Sequence, residues 1–197
     1  VLLHPAWLER LVAAFDAPDV AAVTGLVLPA ELATDAQRHF ETHWSFGRGY
    51  LRRDFDAQRF AAHQGGVFPA WEIGAGASMA FRRQVFERVG YFDERLDVGH
   101  AGCSGDSEFW YRLLAAGMTC RYEPRSVAFH FHRRTLDGLA QQIHHYMRGH
   151  AAALLVQWER TGIGANRRQA WVRMPRWYAG RLWRRLRGAR APGDRFL

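Results

Sequence analysis

The chain contains the run Val20-Ala21-Ala22-Val23-Thr24-Gly25-Leu26-Val27-Leu28, which is almost continuously apolar and has the length of one β-strand. A strand that is apolar on both faces is typical of a sheet covered by helices on both sides. Helical patterns flank it, over residues 5–15 and over about residues 34–46. This alternation predicts an α/β fold with a mixed or mostly parallel sheet.

The alternation continues toward the C-terminus. We predict a strand over residues 77–81, helices over 83–89 and 106–116, two strands over 119–122 and 126–131, and a long helix that Thr135 caps and that ends near residue 160. Between residues 47 and 73 the pattern weakens into glycines and aromatic residues. Such a long irregular segment in a compact domain is more often functional than accidental.

Length and composition exclude several classes of protein. The chain has 197 residues, of which 48% are hydrophobic, with 7 prolines and 2 cysteines. These values exclude a disordered tail and a disulfide scaffold, and no apolar run approaches the length of a membrane span. The first residues, Val1-Leu2-Leu3-His4-Pro5, lack the features of a signal peptide. We therefore expect a single folded domain in a cytoplasmic setting.

The positive charge is concentrated at one end of the chain. Residues 1–159 contain 16 arginines and 18 acidic residues, whereas residues 160–197 contain 11 arginines and one acid. We therefore divide the chain into a domain over 1–159 and a basic amphipathic tail over 160–197. Within residues 168–187, an arginine arc opposes an apolar arc, which is typical of a helix at an anionic membrane surface. The alternative is a helix that packs on the domain with a solvated basic face, and we expect no nucleic-acid partner.

One acidic residue stands out at the predicted start of a helix. Asp106 follows Gly102-Cys103-Ser104-Gly105 and begins the helical pattern. A carboxylate at the first turn is stabilised by the helix N-terminus, stays ionised and can accept a proton. The other interpretation is that Asp106 is only a helix cap.

Two further stretches carry groups that bind ligands in other proteins. His130 and His132 alternate along a predicted strand and so share a face, and paired imidazoles can bind a divalent metal. Arg133, which follows them, can grip a phosphate. Glycines at Gly74 and Gly76 precede a strand and can let the backbone approach a ligand. The alternatives are polar residues at a strand end and a simple turn.

Taken in order, these motifs resemble the C-terminal part of the catalytic domain of family 2 glycosyltransferases of the GT-A type, from residue 1 to about 159. The acidic motif of that family is commonly Glu-Asp-x-Asp, with an arginine six residues after the first Asp. Here Asp106 precedes Arg112 by six residues, and Gly105 replaces the usual Glu, which we expect to remove a charge beside the base. The resemblance implies a Rossmann-like GT-A fold with a mixed sheet, whose donor-binding half and metal-binding Asp-x-Asp would lie before Val1. We expect this chain alone not to turn over.

The resemblance also implies an activity and roles for individual residues. It implies inverting transfer of a sugar from a nucleotide-diphosphate sugar to a hydroxyl of a glycan or lipid-linked acceptor, with Mn²⁺ or Mg²⁺ as cofactor. The roles would be catalytic base for Asp106, acceptor binding for Glu108 and Trp71, donor or phosphate binding for Arg133 and Gly76, and metal binding for His130. The Gln-x-x-Arg-Trp motif of processive synthases is absent, because Gln141-Gln142 does not begin one. Surface polysaccharide or glycoconjugate synthesis at the inner face of the cell membrane would suit such an enzyme.

Two other functions remain open at this point. The first is a non-catalytic module that its arginine-rich tail recruits to anionic membrane or nucleic acid. The second is a metal-dependent hydrolase that uses His130 and His132, although two imidazoles and Asp106 do not complete a metal shell.

Overall fold

The computed structural model describes residues 1–63, 66–97 and 100–188. Within these ranges five strands form one mixed sheet: β1 (Leu2–Leu3), β2 (Val20–Pro29), β3 (Arg53–Phe55), β4 (Met79–Phe81) and β5 (Thr119–His130). Strand β5 is parallel to β2 along one edge, and β1 and β3 pair antiparallel with its other edge. Strand β4 pairs antiparallel with the far edge of β2. The predicted α/β fold with a mixed sheet is confirmed.

Helices follow most of the strands. They are α1 (Trp7–Ala13), α2 (Asp35–His43), α3 (Ala57–Ala61), α4 (Gln84–Val89), α5 (Gly105–Ala115), α6 (Leu136–Thr161), α7 (Gly164–Arg168) and α8 (Met174–Leu186), with a 3₁₀ turn at Ala70–Glu72 and a π turn at Gln169–Arg173. The Thr34 hydroxyl accepts from the backbone N–H of Gln37 to start α2, and Thr135 starts α6 in the same way through Gly138. The predicted cap at Thr135 is confirmed.

The two strands predicted on either side of Glu123-Pro124 are one strand. Pro124 has no N–H to donate to a ladder, which is why the sequence pattern breaks there. In the structure, the register between β2 and β5 shifts between Gly25 and Leu26, opposite Glu123 and Val127. This irregularity accommodates the proline, so β5 continues through it to His130.

The main apolar core lies between the sheet and α5. Phe109, Trp110 and Leu113 of α5 are fully buried and belong to one cluster with Tyr122 of β5 and Phe55 of β3. The sequence predicted one apolar face on this helix, whereas α5 is buried around most of its circumference. A helix held so firmly fixes the direction in which its first turn points.

The last helices differ from one another in burial. Helix α6 runs past residue 160 to Thr161, and the amide of Asn166 in α7 is buried and donates to the hydroxyl of Tyr111 at 2.8 Å. The beginning of the basic tail therefore packs on the domain, while α8 has no buried residue. In the described ranges, no helix combines the length and apolar character required to cross a bilayer.

Candidate active site

An open cavity of about 860 Å³ lies beside the start of α5. The glycine-rich turn before β4, the start of α5 and the middle of α6 form its walls. Four of the six predicted site residues line it: Trp71, Gly76, Asp106 and His130. Glu108 and Arg133 do not belong to the lining.

The carboxylate of Asp106 is fixed by hydrogen bonds on both oxygens. Its Oδ2 accepts from the backbone N–H of Gly76 at 2.8 Å, and its Oδ1 accepts from the N–H of Ser107 at 2.6 Å. A Cβ at position 76 would lie 2.9 Å from Oδ2, so the close approach requires glycine. The N–H of Gly76 is thus engaged by Asp106, and a donor phosphate would have to compete with that bond.

The environment of Asp106 makes its carboxylate more basic. Burial raises its pKa above the usual range, because it penalises the charged form more than the hydrogen bonds from Ser107 and Gly76 stabilise it. The nearby carboxylate of Asp97 raises the pKa further by repulsion. A carboxylate whose pKa is shifted toward neutrality is a more effective general base.

Asp97, which the sequence reasoning missed, lies directly beside the start of α5. Its Oδ1 accepts from the backbone N–H of Gly105 at 2.9 Å, and a Cβ at position 105 would lie only 1.9 Å from its Oδ2. Asp97 adopts a left-handed backbone conformation with φ of 61°. The expectation that Gly105 leaves the base without a neighbouring charge is therefore wrong, because Asp97 occupies that space.

Helix α6 supports the loop that carries these two acids. Gly149 allows the loop to lie close, since a Cβ there would be 2.5 Å from the carbonyl oxygen of Cys103. The Arg148 guanidinium donates to the carbonyl of Ala101 at 2.8 Å. Gly102 and Ser104 both have positive φ, of 99° and 78°. Contacts with α6 thus stabilise a strained turn directly before the N-terminus of α5.

Glu108 lies on the buried side of α5 and does not reach the cavity. It is fully buried, and its carboxylate accepts twice from Nε of Arg112, at 2.7 and 3.0 Å. Arg112 in turn donates to the carbonyls of Val89 and Tyr91 at the end of α4. Contact between Glu108 and an acceptor would require this ion pair to break, so the structure does not favour the predicted acceptor role. The pair instead ties α5 to α4.

The two histidines lie together at the end of β5, as predicted. Nδ1 of His130 is 3.2 Å from Nδ1 of His132, and Nε2 of His132 is 3.2 Å from the Glu41 carboxylate. Burial lowers the pKa of His130 to about 4, so its ring is neutral at neutral pH. Within the described ranges, no three His, Cys, Asp or Glu side chains form a group that could hold a metal ion. A metal at His130 would therefore need ligands from outside those ranges.

The positive charge in the cavity wall comes from a different arginine than predicted. Arg133 is exposed near the start of α6, outside the lining, whereas Arg48 lines the cavity. Its guanidinium donates to the carbonyls of Ser45 and Trp71, at 2.8 and 3.1 Å. Trp71 itself is 45% exposed, with its ring 5.2 Å from that of His150. The segment over residues 47–73 is not irregular throughout, because β3, α3 and the 3₁₀ turn lie within it. It contributes a cation and an accessible aromatic ring to the cavity.

Comparison with known proteins places the chain in a family. It matches the profile described as "Glycosyl transferase family group 2" over residues 1–190. The chain belongs to this family. It is 27% identical over 150 residues to the O-antigen biosynthesis protein RfbC of Myxococcus xanthus, a match that covers 71% of this chain and 11% of RfbC. It is 30% identical over 155 residues to the pre-mycofactocin glycosyltransferase of Mycobacterium tuberculosis (strain CDC 1551 / Oshkosh), which covers 77% of this chain and 29% of that protein.

The chain spans only 11% and 29% of the lengths of those two relatives. No solved structure matches it significantly. Its departure from the commonest acidic motif now has a structural reason. Where that motif has a glutamate before the aspartate, this chain has Gly105, and the carboxylate of Asp97 fills the position that a side chain would need.

Proposed function

We propose that this chain forms the acceptor-side part of a GT-A glycosyltransferase that transfers a sugar, with inversion, from a nucleotide-diphosphate sugar to an acceptor hydroxyl. The observation that carries the proposal is the carboxylate of Asp106, which lines a large cavity. Its pKa is raised, and two backbone N–H groups fix its orientation. Membership of glycosyl transferase family group 2 supports it. The similarity to an O-antigen biosynthesis protein and to a pre-mycofactocin glycosyltransferase supports a role in surface polysaccharide or glycoconjugate synthesis.

The proposed reaction uses Asp106 as general base. An acceptor hydroxyl in the cavity gives its proton to Asp106, and its oxygen attacks the anomeric carbon as the bond to the diphosphate breaks. Each carboxylate oxygen has a second lone pair, so the bonds from Gly76 and Ser107 orient Asp106 without blocking it. Arg48 supplies positive charge in the cavity wall for the departing diphosphate, and Trp71 offers a ring face to a sugar. The described residues do not form a metal site by themselves, and no step is assigned to a metal.

The test compares two aspartates that both lie in the first turn of a helix. Asp106→Asn, in the full-length protein that carries the proposed donor half, should reduce transfer at least about 100-fold, the usual contribution of a general base. Asp137 lies in the first turn of α6, is exposed and does not line the cavity. Asp137→Asn should leave transfer unchanged, while the melting temperatures show that both variants fold. Retained transfer in Asp106→Asn would reject the assignment and leave Asp106 as a helix-start residue.

A specific observation also favours attachment of the enzyme to the anionic inner face of the cell membrane. Residues 160–188 contain nine arginines and no acid. On α8, Leu182, Trp183 and Leu186 are 59%, 56% and 74% exposed. Arg187 stacks on Trp183 with 4.4 Å between its guanidinium carbon and the ring centroid. An exposed apolar arc with Trp and arginines beside it suits the boundary between headgroups and acyl chains.

Vesicle binding tests this attachment. Arg176→Gln/Arg184→Gln should weaken binding to phosphatidylglycerol vesicles by about 1 kcal/mol per arginine, with little binding to phosphatidylcholine in any variant. Arg10→Gln/Arg83→Gln removes the same charge from two exposed arginines of the domain and should bind like the unsubstituted chain. Equal losses in the two double variants would mean that net charge, and not α8, drives binding. Transfer that is lost in Asp106→Asn while vesicle binding persists would exclude a purely non-catalytic recruitment module.

A further inference from the structure

One buried polar side chain of the cavity has no role in the proposed mechanism. Gln157 of α6 lines the cavity and is only 5% exposed. Its Oε1 is fully buried without a hydrogen-bond partner, and among the described residues Nε2 has none either. The Thr161 hydroxyl donates to the backbone carbonyl of Gln157 and not to its side chain. Since buried amides are nearly always paired, Gln157 requires a partner that the described part of the chain does not supply.

The charged residues next to Gln157 on α6 are engaged elsewhere. Arg160 donates to the Asp93 carboxylate at 2.9 Å. Glu159 accepts from the Arg95 guanidinium at 2.8 Å. These ion pairs attach the end of α6 to the loop that carries Asp93 and Arg95, and they leave the amide of Gln157 available to a ligand.

The same loop, over residues 92–97, and α6 form the walls of this end of the cavity. Phe92 and Ala153 both line the cavity, and Leu96 packs against Ala153. Ala153 lies one turn before Gln157 on the same face of the helix. A ligand at this end therefore meets apolar side chains and one amide, which suits a molecule that combines C–H surfaces with a few polar groups.

We infer that the side-chain amide of Gln157 binds two hydroxyls on adjacent carbons of a sugar ring. The edge of an amide holds one acceptor and one donor side by side, whereas a hydroxyl both donates and accepts. Two neighbouring hydroxyls therefore satisfy Oε1 and Nε2 together, whichever way the amide is turned. A ring with only one hydroxyl at this point leaves one end of the amide unpaired, which makes Gln157 a specificity-determining residue.

The assignment of this sugar to the acceptor rests on the proposed function, whereas the pairing with two hydroxyls rests on Gln157 and the cavity. Gln157 and Asp106 line the same cavity, so a sugar bound to the amide shares the space of the proposed base. Asp97, which bonds to the N–H of Gly105, also lines that space. Arg48 provides a different kind of site in the cavity, because a guanidinium suits an anion.

Two isomeric probes test the pairing on the chain itself. trans-1,2-Cyclohexanediol carries adjacent hydroxyls on a ring of pyranose size, and trans-1,4-cyclohexanediol carries the same groups apart. In ¹H–¹⁵N spectra, the 1,2-isomer should shift the side-chain NH₂ signals of Gln157 in a saturable way. Its Kd should be about tenfold lower than that of the 1,4-isomer, the effect of one hydrogen bond. Equal Kd values, or no shift with either isomer, would overturn the inference.

An apolar substitution of similar shape separates ligand binding from folding. Gln157→Met removes both hydrogen-bonding groups, identifies the NH₂ signals by their loss, and should abolish the preference for the 1,2-isomer, measured by saturation transfer to the diol. The melting temperature should stay the same or rise, because an unpaired buried amide is replaced by an apolar group. Gln141→Met makes the same change at an exposed position of α6 and should retain the preference. A lower melting temperature in Gln157→Met with the preference retained would show that the amide serves the fold and not a ligand. If Gln157→Met does not fold, the two isomers still decide the matter on the unsubstituted chain.

Failure of this inference and failure of the proposed function give different results. Transfer that persists in Asp106→Asn would reject the base and leave the preference for the 1,2-isomer in place. Equal binding of the two isomers would reject the diol contact and leave the role of Asp106 in place.

Discussion

Helices α5 and α6 both begin with an acidic residue in the first turn, but the two starts are built in opposite ways. At α6, the residue directly before the helix, Thr135, caps it by accepting from the N–H of Gly138, and Asp137 is exposed to solvent. At α5, Ser104 makes no side-chain cap, and a residue outside the helix, Asp97, accepts from the first N–H. Asp106 therefore does not serve the first N–H of α5, and its carboxylate accepts instead from Ser107 and Gly76 at the cavity.

The difference indicates how the proposed functional acid, Asp106, is set apart from an ordinary first-turn acid. A local cap accepts from an unpaired N–H of the first turn and leaves the neighbouring acid in water. There the acid gains only a small stabilisation from the helix dipole. The start of α5 instead brings two carboxylates together in a turn with three positive φ angles, at Asp97, Gly102 and Ser104. Such an arrangement costs free energy and persists only where the surroundings enforce it, which is why it marks a site.

The largest expected effect on stability comes from filling the space between Asp97 and α5. Gly105→Ala would put a methyl group 1.9 Å from the present position of Asp97 Oδ2. The carboxylate would have to move and release the N–H of residue 105, so we expect a loss of about 2–3 kcal/mol in the free energy of unfolding. Urea denaturation followed by circular dichroism measures it.

A matched glycine gives the control. Gly164 is also the first residue of a helix, and a Cβ there would meet nothing within 4 Å. Gly164→Ala should be neutral or stabilise the chain by up to about 1 kcal/mol, because alanine favours a helix. If the clash is the cause, Asp97→Ala should relieve part of the loss in Gly105→Ala. Additive losses in the double variant would show that Asp97 does not occupy this space.

A smaller effect is expected at the caps themselves. Thr135→Ala removes the hydroxyl that accepts from Gly138 and should destabilise the chain by about 1 kcal/mol. Ser104→Ala removes no cap at α5 and should cost less than half as much, by the same measurement. A larger loss in Ser104→Ala would erase the contrast between the two helix starts.

The sequence predicted the parts of the molecule that local patterns encode. The apolar run at β2, the cap at Thr135 and the first-turn position of Asp106 are confirmed, because periodicity and capping act within a few residues. The burial of Glu108 on the far side of α5 also agrees with local geometry, because residues two apart on a helix do not face each other, although the resemblance implied an acceptor-binding role for it.

Other parts depend on contacts that no local pattern reports. Asp97 reaches Gly105 across a left-handed turn, and Arg48 enters the cavity from the irregular segment. The orientation of the Gly76 N–H also depends on tertiary packing, since it donates to Asp106, which lies 30 residues further along the chain. The glycines and aromatic residues of these segments indicated a site, but only the packing of α5 and α6 determines which groups meet there.

The most subtle prediction concerns the charge that Asp97 places beside the base. Asp97→Asn keeps an oxygen for the N–H of Gly105 but removes the repulsion that raises the pKa of Asp106. The pKa of Asp106 should fall, and the acid limb of the pH profile of transfer should move to lower pH, because the base ionises earlier. Above that limb the rate should fall slightly, since a carboxylate of lower pKa is a weaker base. If the acid limb stays in place, burial alone sets the pKa of Asp106, and Asp97 serves α5 only as a cap.

The pH dependence of stability gives a second readout of the same change. In the unsubstituted chain the folded state holds the proton of Asp106 more tightly than the unfolded state. The free energy of unfolding therefore falls as pH rises from the ordinary pKa of Asp to the raised one, and Asp97→Asn should reduce that fall.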